Sequence, residues 1–340
     1  MTDSSDRRSL TPAGIVELAS AFYGSATLFA ALELDVFQAL AAEPGRTAVE
    51  LADAMKVDRG GLRLLLDACA AVGLAEKDDA GRYRNAPAAA ISLVRGAPAD
   101  LTRAIAYNRD VYAAWGRAAE RVRTGRPVEA PSEHLGGDPG RTRRFVMAMH
   151  GRAMGIGRAV VPMLDLSGCR RLLDLGGGPG TYAALLAAAN PGLACTVMDL
   201  PPVAAIACEL IAQAGVADRV VVLPGDYHTA EFPGGNDAVT LFGVLHQEEP
   251  DAIRSLLRRA REALRPGGRV FVLDVMTDPS RTRPAFAALF ALNMSLTTEH
   301  GWVFAESELF AWLEEAGFRD CRGRPAPPPM PHRLVEARRP

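Results

Sequence analysis

The sequence predicts an α/β protein in which a Rossmann-like domain, a mainly parallel sheet with helices on both faces, follows a mainly helical amino-terminal domain. Short strands rich in branched residues alternate with helical segments from about residue 171 to 275, and this alternation is typical of a parallel sheet covered by helices. Residues 10–98 show helical periodicity followed by a hairpin signal. A chain of 340 residues is long enough for two such domains.

The amino-terminal segment, residues 10–98, is predicted to be a winged helix. The helical runs LFAALELDVFQALA, VELADAMKVD and GLRLLLDACAAVGL precede AEKDDAGRYRNA, which reads as a hairpin turning between Asp78 and Gly81. Winged helices often bind DNA, but the third run is dominated by leucine and alanine, with Arg63 as nearly its only base. We therefore expect this helix to form core or a subunit interface rather than to read DNA.

The remaining chain divides into linking helices over residues 99–163 and a Rossmann-like domain over residues 164–340. The predicted strands of that domain are 172–175, 195–200, 220–226, 238–245 and 269–275. The stretch RPAPPPMP near the carboxyl terminus is expected to be loop or edge because of its prolines.

Composition argues against several functional classes. A net charge of −2 gives no large positive field for nucleic acid or an anionic membrane. The five cysteines are far apart and include no CxxC pair, which argues against a disulfide framework or a thiolate zinc site. The first residues lack the apolar core of a signal peptide, and no apolar run approaches the roughly 20 residues that span a bilayer. We expect a cytoplasmic protein that binds neither nucleic acid nor membrane.

The clearest motif is a glycine turn between a strand and a helix, in RLLDLGGGPGTYAALLAAA. Gly176, Gly178 and Gly180 are spaced GxGxG, whereas a dinucleotide site has GxGxxG. Such a turn lets a ligand approach the backbone, and the following helix offers unpaired N–H groups. Asp174 lies in the strand two residues before the first glycine, where a carboxylate suits a ligand that carries positive charge.

Two further carboxylates end the next two predicted strands. Asp199 is placed to accept hydrogen bonds from both hydroxyls of a ribose, and Asp226, in PGDYH, is placed to meet an adenine amine. An aspartate at such a position also caps helices and turns, so each residue alone admits a purely structural role. Together they converge on the crevice at the carboxyl ends of the strands, where folds of this kind bind ligands.

These motifs resemble those of the S-adenosylmethionine-dependent small-molecule methyltransferases, in particular the family of caffeic acid and acetylserotonin O-methyltransferases. The resemblance covers nearly the whole chain, through FVMAM, DLGGGPG, MDLP, GDYH, LH, RPGG and ELFAWLEEAGF. It implies S-adenosylmethionine as the cofactor and a homodimer joined through the domain of residues 10–98. The residues that it implies for cofactor binding are Asp174, Gly176, Gly178, Asp199, Leu200, Gly225, Asp226 and Tyr227.

The resemblance also implies O-methylation of a small-molecule hydroxyl, with His246 as general base. Asp274 matches the first of two acidic residues that orient this histidine in the family. The second position falls near Val303, with Glu306 as the nearest substitute. The alternative for His246 is a histidine that caps the following helix.

Several positions depart from the family pattern or admit a second interpretation. Plant members have HDW where this chain has HQE, and Phe242 replaces a lysine of the family. Met149 and Met294 match apolar positions that line the acceptor pocket, and Phe290 is a neighbouring candidate. A methionine or aromatic residue at helical spacing is also common in a plain core.

Three alternatives stay open from the sequence. In the first, His246 and His300 hold a divalent metal that assists C-methylation of a 2-oxo acid, with Gln247, Glu299 and Asp274 as further ligands or supporting groups. Without a metal, His300 is expected to bind substrate or solvent. In the second, the fold retains S-adenosylmethionine but catalyses hydroxylation or decarboxylation. The third is a ligand-sensing DNA-binding regulator. The sequence does not identify the acceptor.

Overall fold

The computed structural model describes residues 10–130 and 135–340. Residues 1–9, which make up most of the amino-terminal stretch that lacks a signal-peptide core, and residues 131–134 lie outside the described chain. The chain divides into two compact units between Ala106 and Tyr107. This boundary falls within the predicted linking segment 99–163, so that segment contributes to both units.

The amino-terminal unit contains helices and one small antiparallel sheet. Its helices are α1 (Pro12–Ser20), α2 (Phe22–Glu33), α3 (Val36–Ala42), α4 (Ala48–Met55), α5 (Arg59–Ala71) and α6 (Pro87–Ser92). Its strands are β1 (Arg46–Thr47), β2 (Ala75–Lys77) and β3 (Arg82–Asn85), in the order β1-β3-β2. The hairpin β2–β3 confirms the predicted turn, and Gly81 adopts φ +72° there.

The predicted first helical run is divided into two helices at Asp35. This residue has φ +58°, a left-handed conformation that ends α2 and redirects the chain into α3. The leucine-rich helix α5 buries Leu62 and Leu66 in the core of this unit. Arg63 on the same helix is paired with Asp67 at 3.2 Å. The face of α5 that carries these leucines therefore serves as core, as its composition predicts.

One stretch corrects the prediction that no apolar run is long enough for a bilayer. Pro12–Glu33 is long and apolar enough by length and composition alone, although only 6% of its most apolar window is buried. In the sequence, Glu17 and several small polar residues interrupt this stretch, so it does not form a continuous apolar run. In the structure this stretch is two helices, α1 and α2, that meet at Ala21.

The second unit is a three-layer α/β structure. The helix α7 (Thr102–Gly116) begins in the first unit and ends in the second. The other helices are α8 (Ala118–Thr124), α9 (Pro139–Val160), α10 (Thr181–Ala189), α11 (Pro201–Gln213), α12 (Pro250–Ala263), α13 (Ala285–Thr297) and α14 (Glu306–Glu315). The strands are β4 (Arg171–Leu175), β5 (Ala194–Asp199), β6 (Val220–Pro224), β7 (Asn236–Phe242), β8 (Leu264–Val275), β9 (Arg319–Pro325) and β10 (His332–Arg338).

The sheet has the order β6-β5-β4-β7-β8-β10-β9, and β4 to β8 run parallel as predicted. Two strands were not predicted: β10 is antiparallel to both β8 and β9. The proline-rich stretch connects these last two strands at the sheet edge. In β9, RDCRGRP has a glycine and three arginines, so neither an apolar run nor an alternating pattern marks it as a strand.

The order of the strands fixes where a ligand can bind. From β4 the chain continues outward to β5 and β6, and it then returns to β7 on the other side of β4. The carboxyl ends of β4 and β7 therefore border the crevice where the winding direction reverses, which is the usual ligand site of such sheets. Apolar clusters fill both faces of the sheet: α12 and α14 cover one, and α10 and α11 cover the other.

Candidate active site

The glycine turn lies at the carboxyl end of β4, and its backbone requires glycine at specific positions. Gly176 has φ +62°, and a Cβ there would lie 2.8 Å from Val244 Cγ2. A Cβ on Gly177 would lie 2.6 Å from Asp174 Oδ2. At Gly178, with φ +54°, no atom lies within 4 Å of the Cβ position. The turn is thus packed tightly from inside and open at Gly178, as a backbone that receives a ligand must be.

Asp199, at the end of β5, connects this strand to the glycine turn. Its Oδ2 accepts a hydrogen bond of 2.7 Å from Gly178 N, and its Oδ1 accepts one of 2.8 Å from Leu200 N. Burial raises the pKa of this carboxyl group. A carboxylate offers about four lone-pair sites, so acceptor capacity remains for two hydroxyls of a bound ribose.

Asp174 is fully buried beneath the turn. Its Oδ1 accepts a hydrogen bond of 2.6 Å from Thr240 Oγ1, whereas its Oδ2 has no hydrogen-bond partner in the described chain. Burial raises the pKa of Asp174 to about 7. An orphaned carboxyl oxygen beside a turn that is open to a ligand fits a group that carries positive charge, as S-adenosylmethionine does.

The GDYH segment follows β6 and lies beside the turn. Gly225 N donates to Asp199 O at 2.9 Å, which joins the two strand ends. Asp226 Oδ1 accepts a hydrogen bond of 2.8 Å from His228 N, which stabilises the turn that begins at Asp226. Oδ2 of the same carboxylate can accept a hydrogen bond from another donor.

Tyr227 connects the glycine turn to the segment that carries His246. Its ring lies 3.4 Å from the position of a Cβ on Gly176, and its hydroxyl donates to Glu248 Oε1 at 2.6 Å. His228 Nε2 lies 3.3 Å from the same oxygen. Glu248 occupies the position of the tryptophan in HDW. It is therefore hydrogen-bonded to Tyr227, which the resemblance assigns to cofactor binding.

His246 and Asp274 form a buried pair, as the resemblance implies. His246 lies in a short 3-10 turn after β7, and its Nδ1 is 2.7 Å from Asp274 Oδ1. The backbone N–H of His246 donates to Asp274 Oδ2 at 3.2 Å. With only 9% of the histidine and 1% of the aspartate exposed, the carboxylate fixes the imidazole so that Nδ1 carries the proton. Nε2 is then the nitrogen that can accept a proton.

The structure does not bring the second acidic partner to this histidine. Val303 is buried, and Glu306 is instead paired with Arg333 on β10. The backbone of the same segment supports His246, because Trp302 N donates to His246 O at 2.9 Å. A single carboxylate therefore orients the imidazole among the described residues.

The metal hypothesis finds no support in the described residues. His300 Nδ1 lies 2.9 Å from Glu249 Oε1, and its side chain is 46% exposed. Within residues 10–130 and 135–340, no group of three or more His, Cys, Asp or Glu side chains could hold a metal ion. Gln247 binds the backbone of Gly243, so it too is occupied locally.

Of the three predicted acceptor contacts, Phe290 is the one placed against the histidine. Its ring meets the His246 ring edge-on, with the centroids 5.2 Å apart. Met294 is buried on α13 and Met149 is half-buried on α9. Their assignment to the acceptor pocket stays a prediction.

Sequence reasoning missed His332, the first residue of β10. It lies opposite Val275, one position beyond Asp274 in β8, and its Nδ1 is buried without a hydrogen-bond partner in the described chain. Burial lowers the pKa of His332 to about 4; the Asp274 carboxylate opposes this effect, while Arg152 and His246 add to it. The only local sign of His332 in the sequence is its position two residues before the apolar pair Leu334–Val335, in a strand that was not predicted.

Comparisons with known proteins agree with this geometry. An O-methyltransferase domain model matches residues 120–319, and an O-methyltransferase dimerisation domain model matches residues 16–95. The chain is 35% identical to 3-hydroxy-5-methyl-1-naphthoate 3-O-methyltransferase of Streptomyces sahachiroi, over 92% of this chain and 90% of that protein. It is 34% identical to acetylserotonin O-methyltransferase of Mus musculus, over 95% of this chain and 88% of that protein.

The similarity also holds for the three-dimensional fold of a solved structure. Human N-acetylserotonin methyltransferase in complex with S-adenosylmethionine superposes with a TM-score of 0.86 and 28% identity, over 100% of this chain and 99% of that one. The fold, the glycine turn and the family matches point to the same activity. This chain belongs to the O-methyltransferase family and is an S-adenosylmethionine-dependent methyltransferase that acts on a small molecule.

Proposed function

We propose that this enzyme methylates a hydroxyl group on an aromatic small molecule and that His246 takes the hydroxyl proton. The observation that carries the proposal is the 2.7 Å pair between His246 Nδ1 and Asp274 Oδ1, which leaves Nε2 to act as the base. The names of two relatives support the acceptor class, since both describe O-methylation of a two-ring aromatic compound.

The cofactor is held by residues at the ends of β4, β5 and β6. S-adenosylmethionine supplies the methyl group as a sulfonium when it is bound. Asp199 accepts the ribose hydroxyls, and Asp174 lies where it stabilises positive charge. The backbone of Gly176 and Gly178 would help to hold the cofactor at the open turn. The remaining residues of this set, which adjoin the nucleoside, are Leu200, Gly225, Asp226 and Tyr227.

His246 makes the acceptor reactive. A neutral hydroxyl is a poor nucleophile, and a positioned base contributes about 10²–10⁴ in rate. As Nε2 accepts the proton, the Asp274 carboxylate stabilises the positive imidazole and holds its tautomer. Phe290 packs against the imidazole and, together with Met149 and Met294, forms the apolar wall that excludes water from the acceptor.

The active form is a homodimer in the cytoplasm, joined through the domain matched by the dimerisation model. Residues of α1 and α2 expose an apolar surface within the described unit: Ile15, Val16, Leu18, Phe22 and Tyr23. A surface of this kind requires a partner. All five cysteines are free thiols, which fits a reducing compartment, and the net charge of −2 gives no large positive field for nucleic acid.

A labelled-cofactor assay tests the function. The enzyme is incubated with methyl-labelled S-adenosylmethionine and either 3-hydroxy-2-naphthoate or 2-naphthol, with and without EDTA. We expect label in an aryl methyl ether, no effect of EDTA, and no product with His246→Ala. Activity that EDTA abolishes would favour the metal-assisted alternative. Consumption of either acceptor without a methylated product would favour the non-methylating alternative.

A further inference from the structure

Trp302 holds the short turn that carries His246 at two points. Its backbone N–H donates to His246 O at 2.9 Å, and its indole Nε1 donates to Glu248 O at 2.7 Å. These two carbonyl groups lie on either side of Gln247. A single residue from a distant part of the chain therefore fixes both ends of the stretch 246–248.

The turn itself has little internal support. It is a 3-10 helix of three residues, Leu245–Gln247, and the N–H groups of Gln247 and Glu248 each donate a bond of 3.1 Å to the carbonyl three positions earlier. Hydrogen bonds in a 3-10 helix have poorer geometry than those in an α-helix. The backbone of His246 is instead held by two other segments, since Asp274 accepts from its N–H and Trp302 donates to its carbonyl.

The indole of Trp302 is itself fixed in one direction. The guanidinium carbon of Arg281 lies 5.0 Å from the centre of its ring, and Arg281 Nη1 donates to Val303 O at 2.9 Å. The rings of Phe304 and Trp312 pack against the indole, with centroids 6.0 and 6.1 Å away. A cation and two aromatic rings together restrict the side chain to one rotamer, so its Nε1–H points at Glu248.

Two departures from the family pattern meet in this contact. Val303, near the position of the family's second acidic residue, is buried and carries no charge, and Trp302 is its neighbour in the chain. Glu248, which stands where plant members have tryptophan, supplies the carbonyl that accepts from the indole. Where the second carboxylate is replaced, the adjacent residue binds the backbone of the turn.

We propose that Trp302 is a positioning residue for the base, which holds residues 246–248 so that His246 Nε2 faces the acceptor hydroxyl. It acts through His246 and takes no part in the proton transfer. A displacement of about 1 Å in a reacting group can lower the rate about 10²-fold, so bonds remote from the proton can control turnover. The inference rests on the proposed function, because it concerns the base of the same reaction.

Trp302→Phe tests the proposal, because it keeps the backbone N–H and an aromatic ring but removes the bond from Nε1. Methyl transfer by the full-length enzyme is measured at pH 8 with 2-naphthol and with 4-nitro-1-naphthol, whose nitro group makes its hydroxyl acidic enough to be ionised at this pH. With 2-naphthol, kcat should fall about tenfold, while KM and the Kd for S-adenosylmethionine change less than about twofold. The ionised nitronaphthol needs no base, so its kcat should stay near the wild-type value.

Trp312→Phe is the matched control, because it makes the same change in a ring that packs beside Trp302 but lies on α14. It should lower stability in urea and keep the wild-type kcat with both acceptors. Arg281→Met is a second variant, which leaves Trp302 in place and removes the cation over its ring. It should lower kcat with 2-naphthol about threefold and spare the nitronaphthol. All rates are expressed per cofactor-binding site, so unfolded molecules do not contribute.

The two acceptors separate a positioning role from a purely structural one. Wild-type kcat with 2-naphthol in Trp302→Phe, or an equal loss with both acceptors, would overturn the proposal. If Trp302→Phe does not fold, the same comparison on Arg281→Met decides. A wild type that methylates neither naphthol contradicts the proposed function itself, whereas wild-type transfer to both with equal losses in the variants removes only the role of Trp302.

Discussion

The two halves of the proposed active site, for the cofactor and for the acceptor, are built from different kinds of groups. On the cofactor side, backbone glycines and short carboxylates lie at the ends of three adjacent strands, within residues 174–227. On the proposed acceptor side, the side chains come from positions between 149 and 294, on helices and strands alike. The comparison teaches that the strand ends alone position the cofactor groups, whereas the acceptor groups depend on packing between distant segments. Substitutions in the two halves should therefore alter different measured quantities.

The largest expected effect is on the acceptor side, at His246. His246→Gln removes the proton acceptor and keeps much of the side-chain volume, so kcat should fall by about 10²–10⁴. The Kd for S-adenosylmethionine should change by less than about twofold, because no cofactor contact is lost. His300→Gln is the control, since His300 is exposed and paired with Glu249, and it should keep wild-type kcat. An equal loss of turnover and cofactor affinity in His246→Gln would contradict the separate roles of the acceptor side and the cofactor side.

Asp174 should show a large effect on stability in the enzyme without ligand. Burial raises its pKa from 3.8 to about 7, so the folded state binds the proton more tightly than the unfolded state does. This contribution is complete below about pH 4 and is lost as the pH rises to about 7, a total of roughly 4 kcal/mol. Asp174→Asn cannot ionise, so its advantage in free energy of unfolding should grow over this pH range.

Urea denaturation at pH 4.5 and pH 8, on wild type and Asp174→Asn, measures this advantage. The same substitution should weaken S-adenosylmethionine binding, because it removes the negative charge that faces the positive ligand. A variant whose stability relative to wild type does not depend on pH would show that Asp174 titrates normally.

Asp199 should show an intermediate effect, confined to the cofactor. Asp199→Asn replaces a charged acceptor by a neutral one, so affinity for S-adenosylmethionine should fall by about 10- to 100-fold. At saturating cofactor, kcat should stay near the wild-type value. Calorimetry checks the affinity, and Asp218→Asn is the control because Asp218 is exposed and paired with Arg219 at 3.5 Å. Unchanged affinity in Asp199→Asn would contradict its ribose contact.

Glu248 should show the smallest effect, at the boundary between the halves. Glu248→Gln weakens the 2.6 Å hydrogen bond from Tyr227, and a single bond of this kind corresponds to about a fivefold change in affinity for the cofactor. Tyr227→Phe should give a similar change, and the double variant should lose no more than either single one. Losses that add in the double variant would mean that the two residues act separately.

The cofactor half was predictable because its signals are local. Short strands rich in branched residues, a glycine turn and carboxylates at strand ends place Asp174, Gly178 and Asp199 without any knowledge of long-range packing. The five parallel strands and the β2–β3 hairpin were found for the same reason. His246 and Asp274 were found through the resemblance, and their contact spans 28 positions that no local pattern relates.

The acceptor half was only partly predictable, because its groups are scattered. His332 lies on β10, which was not predicted because its neighbour β9 has no apolar strand pattern. Arg152 has no feature in the sequence that distinguishes it from other arginines on α9. The alternative of a metal between His246 and His300 gains no support from the structure, in which His300 lies beside Glu249. Glu306, the nearest substitute for the second acidic partner, is paired with Arg333 on the unpredicted β10.

A crystal structure of the enzyme with S-adenosylhomocysteine and 3-hydroxy-2-naphthoate tests the central claim most directly. The account predicts both ribose hydroxyls on the Asp199 carboxylate, and His246 Nε2 within hydrogen-bond distance of the acceptor hydroxyl, beside the sulfur atom. A nucleoside bound away from Asp199, or an imidazole whose Nε2 points away from the hydroxyl, would contradict it.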